Sequence, residues 1–118
     1  MKRNALVYHE DMLESIAIIE EYTRDLRESH FLESRQVQDA VIRRLEIKGE
    51  AAKNVPQVLR DEYSDIPWKR IAGLRDVRIH AYFGVQLPRT WKVVREDLPG
   101  LKVQLARVRD HLIEDKVQ

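Results

Sequence analysis

The feature that most constrains the fold is the spacing of apolar residues, which recur at steps of three and four along most of the chain. This spacing places them on one face of an α-helix. The first predicted helix runs from about Ala5 to Glu28, and its apolar face carries Met12, Ile16, Ile19, Thr23 and Leu26. No alternation typical of a β-strand continues for more than a few residues. The pattern therefore predicts an all-α fold.

Three further helices and one short helical piece are predicted from the same spacing and from the positions of Ser, Pro and Gly. They run from about Ser34 to Asn54, from Pro67 to Gly84, from Pro88 to Arg95 and from Pro99 onward. Ser34 is a good N-cap residue, and proline is well suited to the first turn of a helix. With short connections between them, these segments predict a bundle of four to five helices.

Length and composition agree with this class of fold. A chain of 118 residues is enough for one domain, which we expect to span residues 1–118. The absence of Cys excludes disulfides, zinc–thiolate sites and thiol nucleophiles, and fits a reducing compartment. The first 25 residues contain acidic side chains within their apolar stretches, so neither a signal peptide nor a membrane span is expected. A cytoplasmic protein without a membrane anchor is predicted.

The net charge of +1 conceals an uneven distribution. Residues 1–66 carry a net charge of −4, whereas residues 67–95 contain seven basic residues and one acid, Asp76. A local positive field of this kind attracts phosphate groups. The alternative is a solvated helix face that happens to be basic.

Metal and cofactor sites are not expected. The four histidines, His9, His30, His80 and His111, lie in separate segments, and none pairs with another ligand at the spacing of a helical zinc site. His9, His30 and His111 are interpreted as surface or capping residues. No Gly-rich loop precedes a helix, so a phosphate-binding loop is also absent.

One stretch, GLRDVRIHAYFGV at residues 73–85, combines the side chains needed for RNA cleavage. Histidine transfers protons near neutral pH, and arginine holds a phosphodiester through its charged fork. In cleavage by the ribose 2′-OH, a protein needs to supply only proton transfer and charge stabilisation. Arg75 and His80 are thus candidate catalytic residues, with Arg78 nearby. The alternative is that Arg75 pairs locally, His80 is an ordinary helix-end histidine and Tyr82 belongs to the core.

Helical geometry limits how this stretch could form a site. Arg75 and Tyr82 are almost two turns apart and share a face, whereas Arg75 and His80 diverge by about 140°. One regular helix therefore cannot direct both Arg75 and His80 at one phosphate. Either the helix is distorted before His80 or two copies of the chain assemble the site, and we favour a two-fold homodimer.

Three blocks in order resemble HEPN domains, in particular the HepT family of ribonuclease toxins. They are LEIKGEAAKNVP (residues 45–56), IPWKRIAGLRDVRIHAYFGV (residues 66–85) and WKVVREDLPGLK (residues 91–102), and the resemblance covers nearly the whole chain. Within the second block, the pattern Arg-x4-His followed by x-Tyr is similar to the family's motif.

The resemblance implies specific roles for residues of this motif. Arg75 and His80 match the catalytic pair, and Asp76 takes a polar position that is commonly Asn. Tyr82 matches the tyrosine that an MntA-type nucleotidyltransferase antitoxin modifies with AMP. Gln86 replaces an acid often found at this point. The implied function is a metal-independent endoribonuclease toxin, acting on RNA such as tRNA, in a type VII-like toxin–antitoxin pair.

Two other functions remain open from the sequence. One is a non-catalytic HEPN-type helical dimer that binds a nucleotide or a nucleotidyltransferase partner. The other is a plain helical interaction protein with an accidental motif. The joint presence of Arg75, His80 and Tyr82 favours the ribonuclease over both.

Overall fold

The computed structural model of the chain describes residues 2–73 and 87–117, and all its regular elements in these ranges are helical. The helices are α1 (Lys2–Thr23), α2 (Glu28–Glu33), α3 (Arg35–Lys53), α4 (Gln57–Glu62), α5 (Trp68–Gly73), α6 (Leu87–Lys92) and α7 (Leu98–Val117). A single π-helical turn, Val93–Asp97, joins α6 to α7. The prediction of an all-α bundle is confirmed.

The core lies between the three long helices. Helix α1 packs against both α3 and α7, and the short helix α5 packs on α3. The predicted apolar face of the first helix is buried, with Met12, Ile16 and Ile19 fully shielded from solvent. Leu105 and Val108 of α7 are also fully buried. The three-and-four spacing thus identifies the inward faces of α1 and α7 correctly.

Helix α1 ends at Thr23, five residues earlier than predicted. The Thr23 hydroxyl donates a hydrogen bond to the Ile19 carbonyl at 2.8 Å, and the Leu26 amide closes a turn onto the Thr23 carbonyl. The carbonyls of Thr23 and Leu26 both accept hydrogen bonds from the Arg95 guanidinium. This end of the helix is therefore fixed by a residue that is distant in sequence.

The predicted start of the second long helix is confirmed. The Ser34 hydroxyl accepts a hydrogen bond from the Val37 amide at 3.3 Å, which is the N-cap interaction expected at this position. The stretch after Pro56, which falls in one of the predicted short connections, contains the short helix α4. Pro67 stands directly before α5, one residue from the predicted start.

The final helical region is continuous, whereas the sequence predicts a separate short piece and a last helix starting at Pro99. The Leu98 amide donates to the Val93 carbonyl, five residues back, which defines the π-turn. Pro99 has no N–H, so it cannot donate the α-helical hydrogen bond that the Arg95 carbonyl would otherwise accept from residue 99. The chain accommodates Pro99 by widening one turn instead of breaking the helix.

None of the helices within residues 2–73 and 87–117 combines the length and the apolar composition needed to cross a bilayer. The long helices α1, α3 and α7 each carry charged residues throughout.

Candidate active-site region and a buried lysine

The residues predicted to form the active site lie outside the described ranges. Arg75, Asp76, Arg78, His80 and Tyr82 all fall within residues 74–86. The structure instead describes the two helices that flank this segment, α5 on one side and α6 on the other. How these helices are held determines where the segment begins and ends.

Helix α5 is anchored through Trp68 and Ile71, which are 6% and 2% exposed. The Trp68 indole N–H donates to the Tyr63 carbonyl at 3.0 Å. The Trp68 ring also meets the His9 ring of α1 edge-on, with centroids 5.6 Å apart. The helix that leads into the predicted motif is therefore fixed to the core by an aromatic contact and a hydrogen bond.

Helix α6 is anchored through Trp91. Its ring packs against Phe31 of α2 at a centroid distance of 5.2 Å. The Arg95 guanidinium carbon lies 4.5 Å from the Trp91 ring centroid. The same guanidinium donates hydrogen bonds to the carbonyls at the end of α1. The helices on both sides of residues 74–86 are thus each held in place by a well-packed tryptophan.

The basic character of this region is partly balanced by two nearby acids. Arg70 pairs with Asp97 at 3.0 Å, and Lys92 lies 3.9 Å from Glu96. These acids come directly after the basic segment in sequence, so the charge count over residues 67–95 does not include them. Lys69 and Arg89 are exposed and have no ion pair within the part of the chain that the structure describes.

The interpretation of His9 as a surface or capping residue is wrong, because its side chain is fully buried. Its Nδ1 lies 2.8 Å from the Ala5 carbonyl, which can only accept, so Nδ1 carries the proton in the neutral ring. Nε2 has no hydrogen-bond partner among the described residues. Burial lowers the pKa of His9, opposed in part by the bond to Ala5.

The other two described histidines follow the prediction. His30 and His111 are exposed, and the His111 ring nitrogen Nδ1 lies 3.4 Å from the Tyr63 hydroxyl. Within residues 2–73 and 87–117, no three His, Cys, Asp or Glu side chains are grouped as a metal site would require.

Sequence reasoning missed Lys48, which is fully buried in α3. Its ammonium nitrogen has no hydrogen-bond partner among the described residues. Burial lowers the pKa of Lys48 to about 7, and the charge of nearby Asp97 opposes this shift. Its position in the sequence could have indicated this burial. Lys48 stands three residues after Leu45 and four before Ala52, which places it on the apolar face of the helix.

Lys48 lines a cavity of about 590 Å³ bounded by α5, the π-turn and α7. The walls are mainly apolar, with Ile71, Val93 and Leu101 among them. The polar groups are on Lys48, Arg70, Glu96, Asp97 and Gln104. A cavity of this size, with apolar walls and a few polar groups, is typical of a small-molecule site.

Comparison with known proteins places the helical bundle in a defined class. Residues 12–108 match the family described as ribonuclease HepT-like, and this range includes the whole 74–86 segment. The chain belongs to the HepT-like family.

Curated relatives agree with this assignment. A Thermococcus cleftensis protein named probable ribonuclease HepT is 47% identical over 109 residues, which are 92% of this chain and 99% of that protein. A candidate RNase of Caldanaerobacter subterraneus subsp. tengcongensis is 36% identical over 101 residues, or 86% of this chain and 90% of the relative.

A third relative is longer than this chain. A Methanocaldococcus jannaschii protein, whose name combines a gamma-glutamylcyclotransferase with a candidate RNase, is 47% identical over 116 residues. The match covers 98% of this chain and 52% of the relative, so the chain spans about half the length of that protein. No solved structure matches the chain.

Proposed function

We propose that this chain is a metal-independent endoribonuclease in which Arg75 and His80 form the catalytic pair. The observation that carries the proposal is the Arg-x4-His pattern at residues 75–80, inside the range matched by the HepT-like family. Relatives of nearly the same length that are named as ribonucleases support it. The exposed Lys69 and Arg89, on the helices either side of the motif, are suited to bind RNA phosphates.

The reaction uses the ribose 2′-OH as nucleophile. His80 takes the 2′-hydroxyl proton as the 2′-oxygen bonds to phosphorus, and the bond from phosphorus to the 5′-oxygen breaks. The same imidazolium returns the proton to the leaving 5′-oxygen. Arg75 stabilises the charge that develops on the phosphoryl oxygens, while Asp76 and Arg78 support the site. The products are a 2′,3′-cyclic phosphate and a 5′-hydroxyl.

Assembly and control complete the proposal. A two-fold homodimer brings two copies of the motif together, so that Arg75 of one copy and His80 of the other can act on one phosphate although they diverge on a regular helix. Tyr82 is the control residue: a nucleotidyltransferase antitoxin transfers AMP to its hydroxyl. The added anion blocks the cleft by volume and by repulsion of the RNA phosphates. A tRNA is the proposed substrate of the toxin.

The catalytic assignment is tested by substitution. Purified protein should cleave RNA in the presence of EDTA, and both Arg75→Ala and His80→Ala should reduce the rate by about 100-fold or more. The assay measures the initial rate of cleavage of a labelled tRNA transcript by gel electrophoresis.

Two exposed residues provide matched controls. Arg35→Ala and His30→Ala remove the same side-chain types from surface positions on α3 and α2 and should leave the rate unchanged. Full activity in Arg75→Ala or His80→Ala, or activity that requires added Mg²⁺, would contradict the proposal.

A further inference from the structure

The cavity beside the π-turn is lined in part by Lys48, a buried donor without a partner in the described part of the chain. Lys48 is fully buried, and its ammonium makes no hydrogen bond within the described residues. A buried amine in this condition is costly, so a bound group that accepts hydrogen bonds would be stabilising. Asp97 lies close enough to favour the charged form of Lys48.

The cavity wall also has an unusual backbone. Val93, Glu96 and Asp97 belong to the π-turn, and they line the cavity together with residues of α5. Single π-helical turns within α-helices are frequent at functional sites. The turn thus brings two carboxylates to the same cavity as the buried Lys48.

The charges of the lining residues are balanced. When Lys48 is protonated, Lys48 and Arg70 are opposed by Glu96 and Asp97, and Arg70 already pairs with Asp97 at 3.0 Å. A balanced cavity favours a neutral ligand that both accepts and donates hydrogen bonds over a free anion. Apolar walls such as Ile71 and Leu101 favour a ligand with flat apolar faces.

Glu96 is available to accept a pair of hydrogen bonds. Within residues 2–73 and 87–117 it is paired only with Lys92, at 3.9 Å, which is too long for a hydrogen bond, and its side chain is 62% exposed. Two neighbouring N–H donors on a ligand edge could therefore bind its two oxygens. Among the RNA bases, only guanine presents two adjacent donors, N1–H and the N2 amine, together with the acceptors O6 and N7.

We propose that this cavity binds a guanine base of the RNA substrate, with O6 and N7 facing Lys48 and with N1–H and N2 on Glu96. Lysine is a common partner of guanine O6 and N7, and unstacked RNA bases are read through such edges. The proposal rests on the ribonuclease function proposed above. Ile71 lines the cavity on α5, which ends two residues before Arg75, so the base site adjoins the catalytic motif in the chain.

Binding of nucleoside monophosphates to the full chain tests the base site without requiring catalysis. Calorimetry should show that guanosine 5′-monophosphate binds about tenfold or more tightly than cytidine 5′-monophosphate. Inosine 5′-monophosphate, which lacks only the N2 amine, should bind more weakly than the guanosine compound. Equal binding of all three, or no saturable binding of guanosine 5′-monophosphate, would overturn the proposal.

Two substitutions locate the site. Lys48→Met keeps the length of the side chain and removes its donor, and Glu96→Gln replaces one of the two acceptor oxygens with a donor. Each should weaken binding of guanosine 5′-monophosphate about tenfold or more. Lys53→Met and Glu14→Gln change exposed residues on α3 and α1 and should leave binding unchanged. Equal effects of the cavity and control variants would contradict the assignment.

Cleavage assays separate this inference from the function on which it rests. An active enzyme should cut RNA with a preference for guanine that Lys48→Met and Glu96→Gln reduce. Cleavage without any guanine preference, with no binding of guanosine 5′-monophosphate, would overturn the base site and leave the ribonuclease standing. Selective binding of guanosine 5′-monophosphate without cleavage of any RNA would uphold the cavity site and reject the ribonuclease.

Discussion

Two ionisable side chains, His9 and Lys48, are fully buried in the described part of the bundle, and both have a lowered pKa. In each case burial disfavours the charged form and is the largest cause. Their effects on stability fall in different pH ranges. Charging His9 lowers the free energy of unfolding as the pH falls below 6.5, the ordinary pKa of histidine. Lys48 changes the free energy of unfolding above neutral pH.

Lys48 should make the protein more stable as the pH rises above 7. Its pKa is about 7 in the folded chain and 10.5 ordinarily, so between these values the unfolded chain holds a proton that the folded chain has released. The free energy of unfolding should rise by up to about 1.4 kcal/mol per pH unit in this range and should gain nothing from Lys48 below it. Urea denaturation at pH 6 to 9 measures the slope.

The matched variants are Lys48→Met and Lys53→Met. The first should lose this slope, because the titrating group is gone, and the second should keep it, since Lys53 is exposed at the end of α3. Parallel stability profiles for wild type and Lys48→Met would show that Lys48 titrates normally in the folded chain.

At the scale of the helices, Arg95 connects elements that are distant in sequence. It donates to the carbonyls of Thr23 and Leu26 at the end of α1 and lies over the Trp91 ring of α6. These contacts fix the helix that follows the proposed catalytic segment against the helix at the start of the chain. Arginine holds its donors in a rigid planar fork that also stacks on an aromatic ring, and lysine reproduces neither property.

Arg95→Ala should lower the free energy of unfolding by about 1–2 kcal/mol, through the loss of charged hydrogen bonds and the contact with Trp91. Urea denaturation at pH 7 measures the change. Arg89→Ala, an exposed residue on α6 without an ion pair in the described ranges, should change it by less than about 0.5 kcal/mol. Equal stability of the two variants would contradict the role of Arg95.

The sequence predicts the helices whose boundaries are set locally, and it fails where distant groups decide. Ser34 caps its own helix, so the start of α3 is correctly predicted. The end of α1 depends on Arg95, and the continuous final helix depends on a π-turn that accommodates Pro99. A proline is more often read as a helix start, so the pattern alone predicts a break there.

The same reasoning applies to the candidate sites. The motif at residues 75–82 is visible in sequence because its residue types and spacing are distinctive, although its side chains lie outside the described ranges. The cavity is not visible, because Lys48 on α3 and Glu96 in the π-turn come together only in the folded chain. Charge counting also missed that Asp97 and Glu96 balance part of the basic segment.

At the scale of the whole molecule, the proposed dimer has a specific consequence. If each site takes Arg75 from one protomer and His80 from its partner, then a mixture of Arg75→Ala and His80→Ala chains contains heterodimers with one intact site. Unfolding and refolding the two inactive variants together should restore activity, up to about a quarter of the wild-type rate for random pairing. Each variant refolded alone is the control, and a mixture that stays inactive would show that the sites are not shared in this way.

The most direct test of the central claim is the chemistry of the cleaved RNA ends. In EDTA, the wild-type protein should leave a 2′,3′-cyclic phosphate and a 5′-hydroxyl, identified by mass spectrometry of the products. A substrate with a single 2′-deoxyribose at the cleavage site should resist cutting there, because the nucleophile is absent. Products with a 5′-phosphate and a 3′-hydroxyl, or efficient cutting at the deoxyribose, would contradict a metal-independent reaction through the 2′-OH.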